Sequence, residues 1–445
     1  MAITWHKDDQ ARLPAFYLAF TLPLLATIAL ITPPWQNPDE PLHMARIVQI
    51  AHGELLAYRA YGTAGGQSDR AIYDAYRPVQ HAAMHPEQRL SRASLQASNA
   101  VLWSPALATT SFPNTAQYPP MFYLPGAAAY WAGRAGGLSI DRTLLLVRLV
   151  NATLFATLTA TALTLARGTR PLLLACLLLP TTLGLACAAG QDSLLMAATA
   201  LAVSLIDRIS TARRPGTRRE TLLIAALLIS IACARPPYAG FLLALLLLDP
   251  KPTRRTKILL AASATLVLAW CATVALHVSV KLAGADMPRQ LAYLHNNPGQ
   301  ILPIAMRTIH HDAGALWAQF IGVLGWADTP MPRPYMQAQS VVLLLAALAS
   351  HTTARPRSLA AAGICFAIST IFILQYLTWS WPGQNEITGV LGRYFIAPAF
   401  IAALALPWPA FGRLRAPAYV AILLVACATP AIIIHAELFR YYVTP

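Results

Sequence analysis

The residues best suited to chemistry lie just after the first apolar run, in the tract PPWQNPDEPLHMAR at 33–46. Pro33, Pro34, Pro38 and Pro41 stop the preceding helix and force a stiff, extended exit. Asp39 and Glu40 then begin a helix-like stretch, with His43 four and three residues after them. On a helix that spacing lets the imidazole share a face with either carboxylate. A carboxylate held there is suited to act as general base toward a hydroxyl. The ordinary alternative is a helix cap that satisfies free backbone amides. DExxH lacks the second histidine of HExxH, so no metal is assigned. Adjacent helical residues differ by about 100° in direction, so only one of the two carboxylates is expected to face a site, and the choice stays open.

A second set of polar residues sits at the ends of other apolar segments. Tyr118-Pro119-Pro120 precedes a Tyr/Trp-rich stretch, Arg142 and Arg148 open the next run, Asp192 lies in AAGQDSLL, and Arg235 starts RPPY. Trp379, Trp381, Gln384, Asn385 and Glu386 precede Gly392-Arg393-Tyr394, which enters another run. Charged residues at one membrane face are costly unless paired or used, so the set points to an anionic-ligand site. For each arginine singly, snorkelling to headgroups is the alternative. Arg393, Arg235, Asp192, Arg148, His43, Tyr394 and Lys281 are the substrate-binding candidates, with Arg289 a weaker one. His310-His311-Asp312 and Gly325-Trp326-Ala327-Asp328 read as surface residues, since ligands at i and i+1 on a helix point apart.

Only a membrane-spanning frame positions these residues together. The chain has 445 residues, 56% hydrophobic and 11% charged, whereas soluble domains carry roughly a quarter charged. Apolar runs near 14–32, 143–166, 171–189, 191–206, 220–234, 237–249, 258–279, 335–350, 358–378, 394–411 and 417–435 predict an all-α, polytopic membrane protein of about 11 transmembrane helices. The net charge of +15 is concentrated in short loops, among them Arg208 to Arg219 and Lys251 to Lys257. That placement is the positive-inside signal, and it argues against nucleic acid as a partner. All six cysteines fall in apolar runs without CxxC spacing, so neither a disulfide framework nor a metal is implied.

Parity then sets the topology. Counting 118–136 as a span would put the arginine-rich loop outside, so that stretch is expected to be an interfacial or re-entrant helix. The N-terminus is expected inside and the C-terminus outside, with one membrane domain over 1–445. Two large outer segments follow, 33–141 and 280–334, both expected to be helical. Thirteen of the eighteen acidic residues fall outside by this map, all but Asp8, Asp9, Asp207, Glu220 and Asp249. Chemistry is therefore expected on the outer face. Polar groups crowd the span ends and leave the centres Leu/Ala/Ile-rich, which favours surface chemistry over passage.

PPWQNPDEPLHMARIVQIAHGE, QYPPMFYLPGA, GQDSLL, ARPPYAGFLLALLL, GVLGWADTPMP and GVLGRYFIAPAF occur in that order. Together they resemble the bacterial membrane-protein family catalogued as domain of unknown function 2142, from about residue 33 to 400. That family in turn looks like the GT-C superfamily of integral-membrane glycosyltransferases, which take a sugar from a polyprenyl-phosphate carrier. The resemblance implies a base at Asp39 or Glu40, a second acidic residue at Asp192, and a lipid phosphate held by Arg393 and Arg235. It also implies the bacterial inner membrane, a periplasmic C-terminus, a polyprenyl-phosphate-linked sugar as donor, and a glycan or lipid-linked acceptor. By analogy with that superfamily, direct displacement with inversion is implied, and no divalent metal is expected. Trp35, Trp103, Trp317, Trp326, Trp379 and Trp381 are candidates for a polyprenyl groove or an interfacial belt. The competing functions are a transporter or flippase for a lipid-linked saccharide and a non-catalytic assembly factor.

Overall fold

In a computed structural model, residues 7–280, 284–352, 354–406 and 413–442 are described. The first apolar run forms helix α1 (Lys7–Ile31), which ends where Pro33 and Pro34 follow. The chain turns through Trp35 and Asp39, both at positive φ, into α2 (Glu40–Ala51). Ten of the twelve residues of α2 are buried, so it forms the centre of a cap over one end of the bundle and not a surface helix.

The cap is completed by an antiparallel sheet in the order β1 (Tyr58–Ala60), β2 (Thr63–Ser68), β3 (Ala108–Ser111). This sheet corrects the expectation of purely helical loops. β2 carries Gly65 and Gly66 against α2 and β3, where space admits little more than backbone. The cap has its own apolar core, including Trp35, Ile47, Val48, Phe112, Tyr123, Tyr130 and Tyr441.

Residues 120–135 form a short 3₁₀ turn and α3 (Leu124–Ala135). At 12 residues α3 is about 18 Å long, well short of a ~30 Å hydrocarbon core, and it lies against α2 and α4 (Ile140–Leu165). Ser139 caps α4 by accepting from the Arg142 amide. Next come two short helices, Arg170–Leu177 and Pro180–Ala186, separated where Pro180 interrupts the ladder. Then α5 (Asp192–Ala212) runs from the cap end to the arginine-rich loop at the far end.

Arg218–Ala234 is a 17-residue helix with a capping box between Thr217 and Glu220. Pro236–Leu247 is a 12-residue 3₁₀ stretch. The remaining long helices are α6 (Arg254–His277), α7 (Ile301–Gly322), α8 (Ala354–Thr378) and α9 (Arg415–Tyr441), with Arg333–Ala349 and Ile396–Ala405 between them.

Among the described residues, six helices are long and apolar enough to cross a membrane: α1, α4, α5, α6, α8 and α9. The other expected crossings are shorter: proline breaks 171–189 and opens 237–249, Arg218–Ala234 and Arg333–Ala349 have 17 residues each, and the helix within 394–411 ends at Ala405, where Leu406 is extended. The segment 280–334 is no simple loop, since it carries the 22-residue α7. A two-rung ladder at 323–324 and 329–330 follows it. The bundle core joins α1, α4, α5, the short helices at 170–186 and parts of α8 and α9. Cys176, Cys187 and Cys233 are buried in it, while Cys365 and Cys427 are exposed on the bundle surface.

Candidate functional site

The two adjacent carboxylates have opposite environments. Glu40 is 0% exposed and forms a double ion pair with Arg148, Nε to Oε1 at 2.7 Å and Nη2 to Oε2 at 2.6 Å. Asn37 Nδ2 and the Ala189 amide also donate to Oε1, each at 3.2 Å. Arg148 donates its remaining N–H groups to the carbonyls of Ala29, Thr32 and Pro33 at the end of α1. All five donors of the guanidinium are engaged inside the fold. Arg148, expected among the substrate binders, therefore has no donor left for a ligand; it ties α4 to the exit of α1.

Asp39 occupies the N-cap position of α2 without capping it. Its backbone is left-handed at φ 56°, outside the extended region a capping residue adopts, and its side chain makes no cap hydrogen bond. The carboxylate instead faces Arg393, with Nη2 3.5 Å from Oδ2, and accepts from Asn114 Nδ2 at 3.4 Å. It remains 24% exposed. The capping alternative is thus overturned for Asp39. A left-handed aspartate costs of order 1 kcal/mol, and here that strain turns the carboxylate out toward Arg393.

Arg393 is set by backbone packing. The amide of Gly392 donates to Gln319 Oε1 on α7 at 2.8 Å, and the glycine lies so close to α7 that a Cβ would meet the Leu316 carbonyl oxygen at 2.2 Å. Arg393 Nε is buried with no hydrogen-bond partner among the described residues, and the side chain is 17% exposed. Arg235 is more committed. Its Nη2 reaches both oxygens of Asp192, at 2.7 and 3.0 Å, and its guanidinium lies 5.9 Å from the Tyr118 ring and 4.9 Å from the Tyr394 ring. Such cation–π contacts fix the plane of the group. Of the two arginines, Arg393 has the looser pairing and the free donor.

His43 completes the floor. Its Nδ1 is 2.7 Å from the Tyr123 hydroxyl, and its ring stacks on Tyr118 with centroids 6.1 Å apart. Gly190, two residues before Asp192, lies against the other edge of the ring, where a Cβ would sit 3.1 Å from Nε2. Burial holds His43 below the usual imidazole value, so it is neutral at pH 7. The Asp39 and Asp192 carboxylates pull the other way, and Arg393 and Arg235 reinforce the lowering. The Tyr118 phenol is pushed up to about 12, mainly by burial.

Asp39, Asp192, Arg235, Arg393, His43 and Tyr394 thus converge from four separate segments. Asn114 and Tyr123 join them without any signal in the sequence, because Asn114 lies in a single helical turn, Pro113–Ala116, and Tyr123 in an apolar tract. Lys281 lies outside the described residues. His311 pairs with Asp312 at 2.9 Å on an exposed face of α7, and Arg289 pairs loosely with Asp286 at 3.8 Å. Asp328 is not the surface residue expected, for it is buried against Arg440 at 2.7 Å. Trp35 is buried and donates to Asp141 at 2.9 Å, so it lines no groove, whereas Trp317, Trp379 and Trp381 are exposed.

The arrangement holds one partly exposed carboxylate beside an arginine with spare donors, over a neutral aromatic floor. It can accept a proton and stabilise an anion within the same few ångströms. No curated protein and no solved structure matches the chain. The family model described as a predicted membrane protein, DUF2142, matches residues 22–402, and the chain belongs to that family.

Proposed function

We propose that this protein is a glycosyltransferase that uses a polyprenyl-phosphate-linked sugar at the outer face of the bacterial inner membrane, in assembly of a cell-envelope glycan. The reading rests above all on the facing of Asp39 and Arg393, 3.5 Å apart although 354 positions separate them. Transfer begins as an acceptor hydroxyl gives its proton to an Asp39 carboxylate oxygen and attacks the anomeric carbon. The bond from that carbon to the phosphate oxygen breaks, and its electron pair stays on the leaving phosphate beside Arg393. Phosphate leaves as a stable anion, so a cation suffices and no general acid is needed. The displacement inverts the anomeric centre, and the proton on Asp39 returns to water.

Glu40 is the structural partner in this reading, not the base. Arg235 holds Asp192 and orients Tyr118 and Tyr394 about the site. The threonines of α4 support surface chemistry over passage through the bundle, since Thr153, Thr157, Thr159, Thr161 and Thr164 return their hydroxyls to carbonyls of their own helix. The deciding experiment compares Asp39→Asn with Glu40→Gln in membranes charged with polyprenyl-phosphate-sugar. Loss of transfer in Asp39→Asn at normal abundance supports the assignment. Undiminished transfer in that variant overturns it.

A further inference from the structure

A cleft of about 470 Å³ opens in the cap, lined by Tyr76, Gln80, His81, His85 and Gln88 together with Ala83 and Met84. Two ties connect it to the reacting carboxylate. Gln36 Nε2, three residues before Asp39, donates at 3.1 Å to the carbonyl of Val79, the buried neighbour of the lining residue Gln80. Tyr76, at its edge, is raised first by burial and further by the Asp39 charge, which brings the phenol within the electrostatic reach of that carboxylate.

The segment that lines the cleft is also braced from the far end of the chain. Arg440 on α9 donates to the carbonyls of Gln88, at 2.8 Å, and Ala82, while it pairs with buried Asp328 at 2.7 Å. The backbone at 79, 82 and 88 is thereby held before a ligand arrives, which lowers the ordering cost of binding.

None of the lining residues is a carboxylate, a lysine or an arginine. Amides, imidazoles and a phenol offer donors and acceptors in similar number, and Tyr76 adds an aromatic face. His81 Nε2 lies 3.2 Å from the Arg89 carbonyl, and His85 Nδ1 lies 3.2 Å from Glu87, so both rings are oriented. Such a surface matches a neutral polyhydroxylated chain better than an anionic one.

We infer that this cleft is the acceptor subsite, holding a neutral glycan whose terminal hydroxyl reaches Asp39 past Tyr76. The inference rests on the transferase reading and adds to it the class and the seat of the acceptor.

The test uses the full-length protein in nanodiscs, with polyprenyl-phosphate-sugar as donor and the neutral and acidic glycan fractions of the host envelope as separate acceptors. Gln80 and His81 are exposed, so Gln80→Ala/His81→Ala spares the fold. The double variant is expected to raise the KM for the neutral acceptor about tenfold, with the donor KM and the kcat at saturating acceptor unchanged. An unchanged acceptor KM, a raised donor KM, or transfer only to the acidic fraction overturns the subsite and leaves the transferase reading standing. No transfer by the parent protein to either fraction overturns both.

Discussion

Arg148 on α4 grips Glu40 with two hydrogen bonds of 2.7 and 2.6 Å, and the same guanidinium closes the last carbonyls of α1. One buried pair therefore fixes the direction in which the chain leaves the first span. That direction places the neighbouring residue, Asp39, opposite Arg393. A buried, paired carboxylate and a partly exposed one are thus separated by a single peptide bond, and substitutions at each should fail in different ways.

Removing one partner of the buried pair should unfold the cap. Glu40→Ala or Arg148→Ala leaves an unpaired charge, at a cost of about 3–5 kcal/mol. Membrane abundance and the thermal midpoint in detergent should both fall sharply. Near-normal values would show that the pair is dispensable.

Asp39→Asn should behave oppositely. Its ion pair is loose and partly exposed, so stability should change by less than about 1 kcal/mol. Transfer should drop about 10²- to 10⁴-fold at every acceptor concentration, as expected when a general base is lost. Radiolabelled sugar transfer, normalised to folded protein, measures both quantities together.

Gly392→Ala should act on the donor side. The added Cβ would sit 2.2 Å from the Leu316 carbonyl oxygen, so the segment carrying Arg393 must move away from α7. Overpacking of this kind costs about 1–3 kcal/mol. The donor KM should rise, and Gln319→Ala, which removes the acceptor of the Gly392 amide, should reproduce part of the rise.

The pH dependence of stability should carry the signature of His43. Its pKa in the fold lies below the ordinary 6.5, so the unfolded chain binds the proton more readily. The contribution is complete above about pH 6.5 and is lost as pH falls from there toward the lower folded value. Thermal midpoints between pH 5 and 8 should therefore decline on the acid side. His43→Gln should flatten that decline. An equal slope in the variant would assign it to other groups.

Much of this could be read from residue order alone. Membrane class follows from run length and charge placement, since uncharged stretches near 20 residues have no other economical environment. The shortness of α3 accords with the prolines that precede and open it. Asp39, Asp192, Arg235 and Arg393 could be listed because charge at the ends of apolar runs is costly. Tertiary structure alone decided their surroundings. Asp39 and Glu40 have the same chemistry and nearly the same position, and they part only because Arg148, 108 residues away, reaches one of them. Asn114 and Tyr123 carry no local pattern, because their place beside Asp39 and His43 is set by packing across the cap. The small sheet has no local signature for the same reason: 39 residues lie between β2 and β3, and period-two patterning is faint in strands of four to six residues. Apolar periodicity reports which surface leaves water; which polar groups then meet depends on long-range contacts that no short window contains.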